Sequence, residues 1–401
     1  DWQEDRCGAD PLDPTNGAAA NSTVVVLPYL DPEAEHRTVA ITPDIEVADV
    51  YFLVDTTGSM DAAIMNVATS LATTIAPAID ATIADVQMGV GHFNDAPRSP
   101  YGDLGDQPFW NSVSITDDLP ALQEAFDALY LYPTWGSGND TAESHVLGLY
   151  LTATGDSFHD CDAGVPASVC PSVPGEPGPR KGYPCFRPNV LPIVVVVTDA
   201  PWHSGPWGEE AYDCTSIAYA DAISKLVTLG ARVLGVFVDN YGTEGLPALR
   251  QAAIDTGAVD SMGEPLVVQV ASGAMVSTSI VDMIESLAYE GPQDVTTMAL
   301  DAAGDPPGAE YDATLFLTGM GTLSASPPDG FSHSDESTFY DVQPETEVSF
   351  ALSFGNTTVP PGPEPQYFKL WIRFMGNSVS LLDAREFTIV VPPAVPETCA
   401  G

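Results

Sequence analysis

Apolar residues along the middle of the chain fall into two patterns that alternate. Short runs rich in Val, Ile and Leu are typical of strands buried on both faces of a sheet. These runs lie at Val50–Val54, Leu191–Val197, Ala231–Val238 and Leu266–Val270, and Asp85–Phe93 is predicted as a further strand. Between them, apolar residues recur at steps of three and four, as from Met60 to Ile75 and from Met275 to Ala288, which predicts helices with one buried face. The alternation predicts a doubly wound α/β domain with a mostly parallel sheet over residues 47–290.

The flanks of the chain lack the helical period and predict strands only. Five runs beyond Gly291 are separated by turns that contain Pro and Gly. They are Thr296–Leu300, Ala313–Leu317, Val348–Phe354, Phe368–Phe374 and Phe387–Val391. Two more runs, Thr23–Leu27 and Thr38–Ile41, precede the α/β segment. We therefore expect an all-β sandwich made of residues 1–46 and 291–401, with the α/β domain inserted within it.

The charge of the chain excludes two classes of partner. Its 401 residues include 12 Lys and Arg against 56 Asp and Glu, which gives a formal net charge of −44. A surface of this sign repels nucleic acid and anionic membranes. No uncharged apolar run approaches the ~20 residues that a membrane-spanning helix needs, so the sequence predicts no transmembrane segment. Low Lys content with abundant Ala, Gly, Pro and Asp points to a bacterial source.

Six cysteines, none of them in a C-x-x-C pair, predict disulfides and an exported protein that works outside the cell or at its surface. Three of them fall within residues 156–190, which are rich in Pro and Gly and predict an irregular insertion pinned by disulfides. Spacing alone does not fix the pairing. Proximity along the chain favours Cys161–Cys170 and Cys185–Cys214, and a Cys7–Cys399 bridge would join the two ends.

Side chains with oxygen ligands cluster where an α/β sheet is expected to bind ligands, at the carboxyl ends of its strands. They are Asp55, Thr57, Ser59, Asp140, Glu143 and Asp199. Carboxylate and hydroxyl oxygens are the ligands suited to Mg²⁺, Ca²⁺ or Mn²⁺. A helix N-cap needs one such side chain, but three follow the first strand at alternate positions. The sequence therefore predicts a divalent-cation site with a position open for a carboxylate from a partner.

These motifs resemble those of von Willebrand factor A domains, and more closely those of the I-like domain of integrin β subunits. Residues 55–60 (DTTGSM) are similar to the family's Asp-x-Ser-x-Ser-Met, and residues 140–143 (DTAE) to its Asp-x-Pro-Glu. Residues 198–203 (TDAPWH) match Thr-Asp-Ala-Gly-Phe-His, and residues 89–95 match the second strand and its aspartate. Integrin β subunits also carry this domain within a β-sandwich, the hybrid domain, so the resemblance covers most of the chain.

The resemblance implies two cation sites. An adhesion site for Mg²⁺ or Mn²⁺ would use, partly through water, Asp55, Thr57, Ser59, Glu143 and Asp199. A flanking site for Ca²⁺ would use Asp95, Asn139, Asp140 and Glu143, although the family's asparagine stands one position earlier, where this chain has Gly138. A third, inhibitory site of integrins uses two aspartates where this chain has Ala62 and Ala63, so we expect it to be missing or weakened.

The implied function is metal-dependent binding of an acidic residue of a protein ligand, with a second subunit as a further partner and with movement of the last helix coupled to the sandwich. Tyr101, Phe109 and Trp110 replace the family's specificity loop, and either contact the ligand or pack the loop. His145 and His203 are interpreted as structural or surface residues and not as catalytic ones. No catalytic motif accompanies the metal motif, which favours binding over an enzyme. A non-adhesive scaffold with a structural metal and a metal-dependent hydrolase stay open as alternatives.

Overall fold

The computed structural model describes residues 23–131, 139–174, 176–208, 210–240, 242–302 and 311–394. They divide into two compact units. Asp44–Pro292 forms one unit, and the residues before and after it in the sequence form the other. The Cys7–Cys399 bridge expected from the sequence lies outside the described residues.

Strands and helices are numbered here in chain order. The strands are β1 (Val24–Val26), β2 (Glu35–Ile41), β3 (Val47–Asp55), β4 (Asp85–Phe93), β5 (Trp110–Thr116), β6 (Leu191–Thr198), β7 (Arg232–Val238), β8 (Val267–Val270), β9 (Gln293–Asp301), β10 (Leu317–Ser326), β11 (His333–Ser334), β12 (Thr338–Val342), β13 (Glu347–Phe354), β14 (Gln366–Gly376) and β15 (Ser380–Val391). The helices are α1 (Asp61–Ser70), α2 (Ala76–Thr82), α3 (Leu119–Leu131), α4 (His145–Thr154), α5 (Tyr219–Leu229), α6 (Leu246–Asp255) and α7 (Val276–Glu290).

The sheet of the Asp44–Pro292 unit has the strand order β5-β4-β3-β6-β7-β8. Every pair of neighbours is parallel except β4 and β5, which run antiparallel at one edge. The order reverses beside β3, because the chain moves along the sheet in one direction up to β5 and in the other from β6. Open α/β sheets bind ligands at such a reversal, outside the carboxyl ends of the strands.

Helices cover both faces of this sheet. On one face α1, α2, α3 and α7 contribute to a core that includes Ile64 and Ile284. On the other face α4, α5 and α6 contribute to a second core that includes Leu149 and Leu249. The central strands β3 and β6 are buried along almost their whole length, as their uncharged apolar runs require. The prediction of an α/β fold with a mostly parallel sheet is confirmed.

One helical stretch of this unit, Gly58–Thr82, is long and apolar enough to cross a membrane by length and composition alone. Its residues Ile64, Val67 and Leu71 are buried in the core beneath the sheet. A core helix meets the same criterion as a membrane span, so this stretch is weak evidence for one.

The second unit consists of two sheets, with strand orders β1-β15-β14-β9-β12-β11 and β10-β13-β2. They share an apolar core, in which the rings of Phe350 on β13 and Phe374 on β14 lie 5.6 Å apart. Both strands from the start of the chain pair with strands from its end. β1 runs parallel to β15, and β2 runs antiparallel to β13.

The strand expected at Ala313–Leu317 is wrong. Ala313–Phe316 forms a 3₁₀ turn, and β10 begins at Leu317. Asp312 starts the turn because its carboxylate accepts the Thr314 N–H at 2.9 Å. Sequence periodicity also misses β10 itself, because glycines and small polar residues interrupt its apolar pattern, and it misses the short β11 and β12.

The disulfide pairing expected from proximity is also wrong. The structure pairs Cys170 with Cys185 and Cys161 with Cys214. The second pair joins residues 53 positions apart, because the insertion folds back onto the segment that follows β6. Contact of this kind depends on the tertiary fold, and sequence distance does not reveal it. Two disulfides favour an oxidising, extracellular compartment.

Candidate metal centre

The carboxyl ends of β3 and β6 bring the predicted adhesion ligands together. Asp55 is the last residue of β3, and Asp199 follows the last residue of β6. Ser59 donates its hydroxyl to Asp199 Oδ1 at 3.0 Å, and Thr57 Oγ1 lies 3.4 Å from Ser59 Oγ. A parallel bridge between Glu143 and Trp202 places the loop before α4 beside the segment that follows β6.

Asp55 is buried and held by three hydrogen bonds. Its Oδ1 accepts from the backbone N–H of Thr57 at 2.9 Å and from the Thr57 hydroxyl at 2.7 Å, and its Oδ2 accepts from the Thr198 hydroxyl at 2.8 Å. Burial, and then the charge of Asp199, raises the pKa of Asp55 to about 7, against these hydrogen bonds. The carboxylate is therefore fixed in position, and no positively charged side chain among the described residues lowers its pKa.

Asp199 is held to the loop after β3 from two sides. Besides the Ser59 hydroxyl on Oδ1, the side-chain amide of Asn240 donates to Oδ2 at 2.8 Å and to the backbone oxygen of Ser59 at 3.0 Å. Burial raises the pKa of Asp199, while Asn240 and then Ser59 lower it. Asn240 therefore joins the end of β7 to both of the other strand ends at the site.

Glu143 contributes a buried carboxyl group to the site. Its side chain is buried, and Oε2 has no hydrogen-bond partner among the described residues. Burial, followed by the charges of Asp55 and Asp95, raises the pKa of Glu143 well above its ordinary value. Its backbone is fixed by the N–H donating to Pro201 O at 2.9 Å and by the carbonyl accepting from the His203 N–H at 3.0 Å. A buried acid without a partner is costly unless a cation or a proton satisfies it.

His145 supports Asp55 through Thr198. Its Nε2 lies 2.7 Å from Thr198 Oγ1, and Thr198 gives its single hydroxyl proton to Asp55. A neutral ring has a single N–H, so the Nε2–H tautomer, which completes the 2.7 Å contact, has no proton on Nδ1 to donate to the Glu143 carbonyl 3.2 Å away. In that tautomer the hydrogen-bond chain runs from the imidazole through Thr198 to Asp55. The ring is stacked on Trp202 at 4.8 Å, and burial lowers its pKa to about 3, which keeps it neutral.

The ligand oxygens open into a cleft of about 820 Å³. Its lining includes Thr57, Ser59, Glu143 and Asp199, together with Trp207, which is 60% exposed. Among the described residues that line the cleft, five are carboxylic acids and none is Lys or Arg. Hard oxygen donors, a concentrated negative charge and the unpartnered Oε2 of Glu143 fit a divalent cation.

A second group lies beside the first, at the end of β4. Asp95, Asp140 and His203 each offer a ligand atom, and these atoms all lie within 4.8 Å of one another. Burial lowers the pKa of His203, but the neighbouring Asp95, the Glu210 carbonyl and Asp140 outweigh it, so the net direction is upward. Burial raises the pKa of Asp140. Asp95 and Asp140, predicted as flanking-site ligands, are thus brought together, with His203 between them.

Of the other two predicted flanking ligands, Glu143 is near enough to Asp95 and Asp140 for their charges to raise its pKa, whereas Asn139 is directed elsewhere. Its side-chain amide is exposed and donates to Asp103 at 3.0 Å, and its backbone N–H donates to the carbonyl of Tyr101. His203 occupies the place beside Asp95 and Asp140 instead. The resemblance implies oxygen ligands only, so the donor set of this chain departs from it.

The aromatic residues proposed as ligand contacts are mainly packing residues. Tyr101 and Phe109 are buried, and the Tyr101 hydroxyl accepts the Asp213 N–H at 2.8 Å. The Tyr101 ring packs edge-on against His203, and Phe109 against Tyr183. Trp110 is partly buried and stacks on His92 on the neighbouring strand. Their geometry favours the packing alternative, and the cleft is lined instead by Trp207.

Residues that the sequence does not single out also support the site. Asn240 could have been found, because Asp239-Asn240 directly follows a buried strand of the same sheet, as Asp199 does. Thr198 and His203 lie in the same motif as Asp199, but the sequence does not indicate which residues they contact. Tyr212 donates its hydroxyl to Asp95 across 117 residues, a contact that only the tertiary fold creates.

No protein-family model and no curated protein matches the chain. Solved structures do, among them a von Willebrand factor type A protein from Catenulispora acidiphila, which is 12% identical with a TM-score of 0.40 over 92% of this chain and 72% of that one. The pilus adhesin SpaC from Lactobacillus rhamnosus GG, in its open conformation, is 12% identical with a TM-score of 0.38 over 91% of this chain and 48% of that one. Proximal thread matrix protein 1 from the mussel byssus is 13% identical with a TM-score of 0.36 over 65% and 51%.

These structural neighbours thus include a von Willebrand factor type A protein, and this chain spans about half the length of the adhesin. Likeness at such low identity concerns the fold alone. The residues of the metal centre have to be judged by their own geometry.

Proposed function

We propose that the Asp44–Pro292 unit is a metal-dependent binding module. Asp55, Thr57, Ser59, Glu143 and Asp199 would hold a Mg²⁺ or Mn²⁺ ion, some of them through water, and a protein ligand would bind by an Asp or Glu side chain. A hard cation with an open coordination position supplies the positive charge that such a carboxylate requires. In line with the disulfides, we place this activity outside the cell or at its surface.

The observation that carries the proposal is the convergence of Ser59, Glu143 and Asp199 on one cleft without a basic residue among the described lining residues, with Asp55 near enough for its charge to raise the pKa of Glu143. An acidic ligand would be repelled by this cleft unless a cation neutralised it. We therefore interpret the cleft, with its five lining carboxylic acids and the exposed Trp207, as a cation-dependent recognition surface. We propose binding rather than catalysis because the sequence carries no known catalytic motif beside the site.

A conformational response of α7 also has a physical basis in this unit. Gly273, just before α7, lies so close to the first turn of α1 that a Cβ atom there would be 2.4 Å from the Ala63 nitrogen. Only Met60 separates this turn from Ser59. A shift of the metal loop would therefore press on the segment that leads to α7, which supports the integrin-like coupling that the resemblance implies. A second subunit is part of the same proposal.

The test combines calorimetry with a peptide array. Chelator-stripped full-length protein is titrated with Mg²⁺ and then applied, with and without chelator, to peptides centred on Asp or Glu and to their Asn or Gln counterparts. We expect Mg²⁺-dependent retention of acidic peptides only. Asp199→Ala should reduce Mg²⁺ affinity by more than the ~10–100-fold that outer-shell partners cost.

Asp282→Ala is the matched control, because Asp282 lies on the exposed face of α7. It should leave both measurements unchanged. Retention that survives chelation, or that does not distinguish acids from amides, would refute the proposed binding mode. Mg²⁺ binding without retention of any acidic peptide would instead support the scaffold alternative.

A further inference from the structure

The group beside the proposed adhesion site contains a histidine where the integrin resemblance implies oxygen ligands only. Nε2 of His203 lies 3.4 Å from Asp95 Oδ2 and 3.2 Å from Asp140 Oδ1. Asp95 and His203 are buried, whereas the Asp140 side chain is 35% exposed. The group is thus anchored in the core on one side and accessible to solvent on the other.

The orientation of His203 is fixed by the other nitrogen of its ring. Nδ1 lies 2.5 Å from the backbone carbonyl oxygen of Glu210. A carbonyl only accepts hydrogen bonds, so Nδ1 carries a proton and Nε2 is directed at the two carboxylates. Metal-binding histidines characteristically donate their second ring N–H to a carbonyl or a carboxylate in this way.

In Asp95, as in His203, one polar atom of the side chain is held by hydrogen bonds and the other is not. Its Oδ1 accepts from the Tyr212 hydroxyl and from the backbone N–H of Ala96 at 2.6 Å. Its Oδ2 and Nε2 of His203 are both buried, and neither has a hydrogen-bond partner among the described residues. A proton on Nε2 would make an ion pair with the two carboxylates at these distances, whereas a cation bound between the atoms would satisfy both of them with the ring neutral.

The rings around His203 hold this arrangement. Tyr212 packs against the imidazole with ring centres 4.3 Å apart, and Tyr101 lies edge-on at 5.2 Å. Because Tyr212 also donates to Asp95, one residue supports both buried members of the group. The residues that orient Asp95 and His203 are therefore in place before a metal ion binds.

We propose that Asp95, Asp140 and His203 form a site for a divalent first-row transition metal of the Zn²⁺ type, and not for Ca²⁺. Imidazole suits Zn²⁺ and its neighbours, while Ca²⁺ takes six to eight oxygen ligands. Asn139, which would have added an oxygen, is directed at Asp103. Three protein ligands and a position open to solvent beside Asp140 match a three-ligand Zn²⁺ site.

The test is a Zn²⁺ titration of chelator-stripped full-length protein in saturating Mg²⁺, which keeps the neighbouring site filled. His203→Gln should lower Zn²⁺ affinity by about 10-fold or more and leave Mg²⁺ affinity unchanged. His159→Gln is the control, because it removes an exposed imidazole from the insertion. Equal Zn²⁺ affinity in His203→Gln and the wild type, or tighter binding of Ca²⁺ than of Zn²⁺, would overturn the proposal.

Because His203 is buried, its variant could fail to fold, so two further measurements are included. Asp140→Asn changes a more exposed ligand and should also weaken Zn²⁺ binding. X-ray absorption at the zinc edge of the wild-type protein should show imidazole scattering together with oxygen ligands, and a shell of oxygen alone would refute the assignment. The outcome is separate from that of the adhesion proposal, which depends on Asp199 and acidic peptides.

Discussion

Strand β3 carries a buried aspartate near each end, and the two have opposite surroundings. At the amino end, Asp49 accepts from the Arg187 side chain at 2.7 Å and from the Arg187 backbone N–H at 2.6 Å. At the carboxyl end, Asp55 is surrounded by hydroxyls and further carboxylates, with Asp199 the neighbour that most raises its pKa. Burial raises the pKa of both, that of Asp49 to about 6 and that of Asp55 to about 7.

The difference separates a structural acid from a functional one. Arg187 gives Asp49 its counter-charge from within the chain and also contacts Asp85, so it ties the end of the insertion to two strands. Asp55 has neutral donors that hold its oxygens in place but no positively charged partner within the part of the chain that the structure describes. A protein tolerates such a carboxylate when a ligand supplies the missing charge.

The largest expected effect comes from removing the counter-charge of Asp49. Arg187→Leu should lower the free energy of unfolding by about 3–5 kcal/mol at pH 8, because it leaves a buried carboxylate unpaired. In the wild type, the pKa of Asp49 rises from 3.8 to about 6 on folding, so stability falls as pH increases through that interval. Without Arg187 the pKa rises further, and the variant continues to lose stability above pH 6. Urea denaturation at pH 5 and pH 8 measures the difference.

The control for this prediction is the double variant Asp49→Asn with Arg187→Leu, which has no buried carboxylate left to titrate. Its stability should not show the additional decline between pH 6 and pH 8. A single variant whose loss is equal at pH 5 and pH 8 would mean that packing, and not charge, explains the role of Arg187.

The sequence predicts β3 and its neighbouring strands because the residue patterns that indicate them are local. Uncharged apolar runs mark β3 and β6, and Asp55, Thr57 and Ser59 occupy alternate positions after the first of these runs. The convergence of Asp55 with Asp199 follows from topology, since the carboxyl ends of parallel strands meet at one edge. Fold class and the proposed adhesion ligands are therefore accessible without coordinates.

Contacts between distant segments are not accessible in this way. Arg187 lies in the insertion, 138 residues from Asp49, and no periodicity connects them. His203 turns toward Asp95 and Asp140 because Glu210 and Tyr212 position its ring, and the Cys161–Cys214 pair depends on the same fold-back of the chain. Each error of the sequence analysis at the site concerns a contact of this kind.

The next effect in size concerns the cation at the other end of β3. Mg²⁺ at about 100 times its dissociation constant should stabilise the wild type by about 2.7 kcal/mol, because it binds the folded state only. Asp55→Asn should lose this stabilisation. Asp49→Asn should keep it, even if its own melting temperature is lower, since Asp49 lies at the opposite end of the strand. Thermal unfolding with Mg²⁺ and with chelator measures both, and an equal response of the two variants would remove the distinction between the two acids.

The smallest expected effect tests whether the neutral donors around Asp55 matter for cation binding. In its Nε2–H tautomer His145 donates through Thr198 to Asp55, so His145→Leu should weaken Mg²⁺ binding by about 10–100-fold, the usual cost of losing an outer-shell partner. His145→Gln can place an amide N–H near the position of Nε2 and should recover part of the loss. Calorimetric titration of both variants, with circular dichroism to confirm folding, makes the comparison. If Gln and Leu weaken binding equally, the imidazole acts by packing on Trp202, and the hydrogen-bond chain to Asp55 has no part in holding the ion.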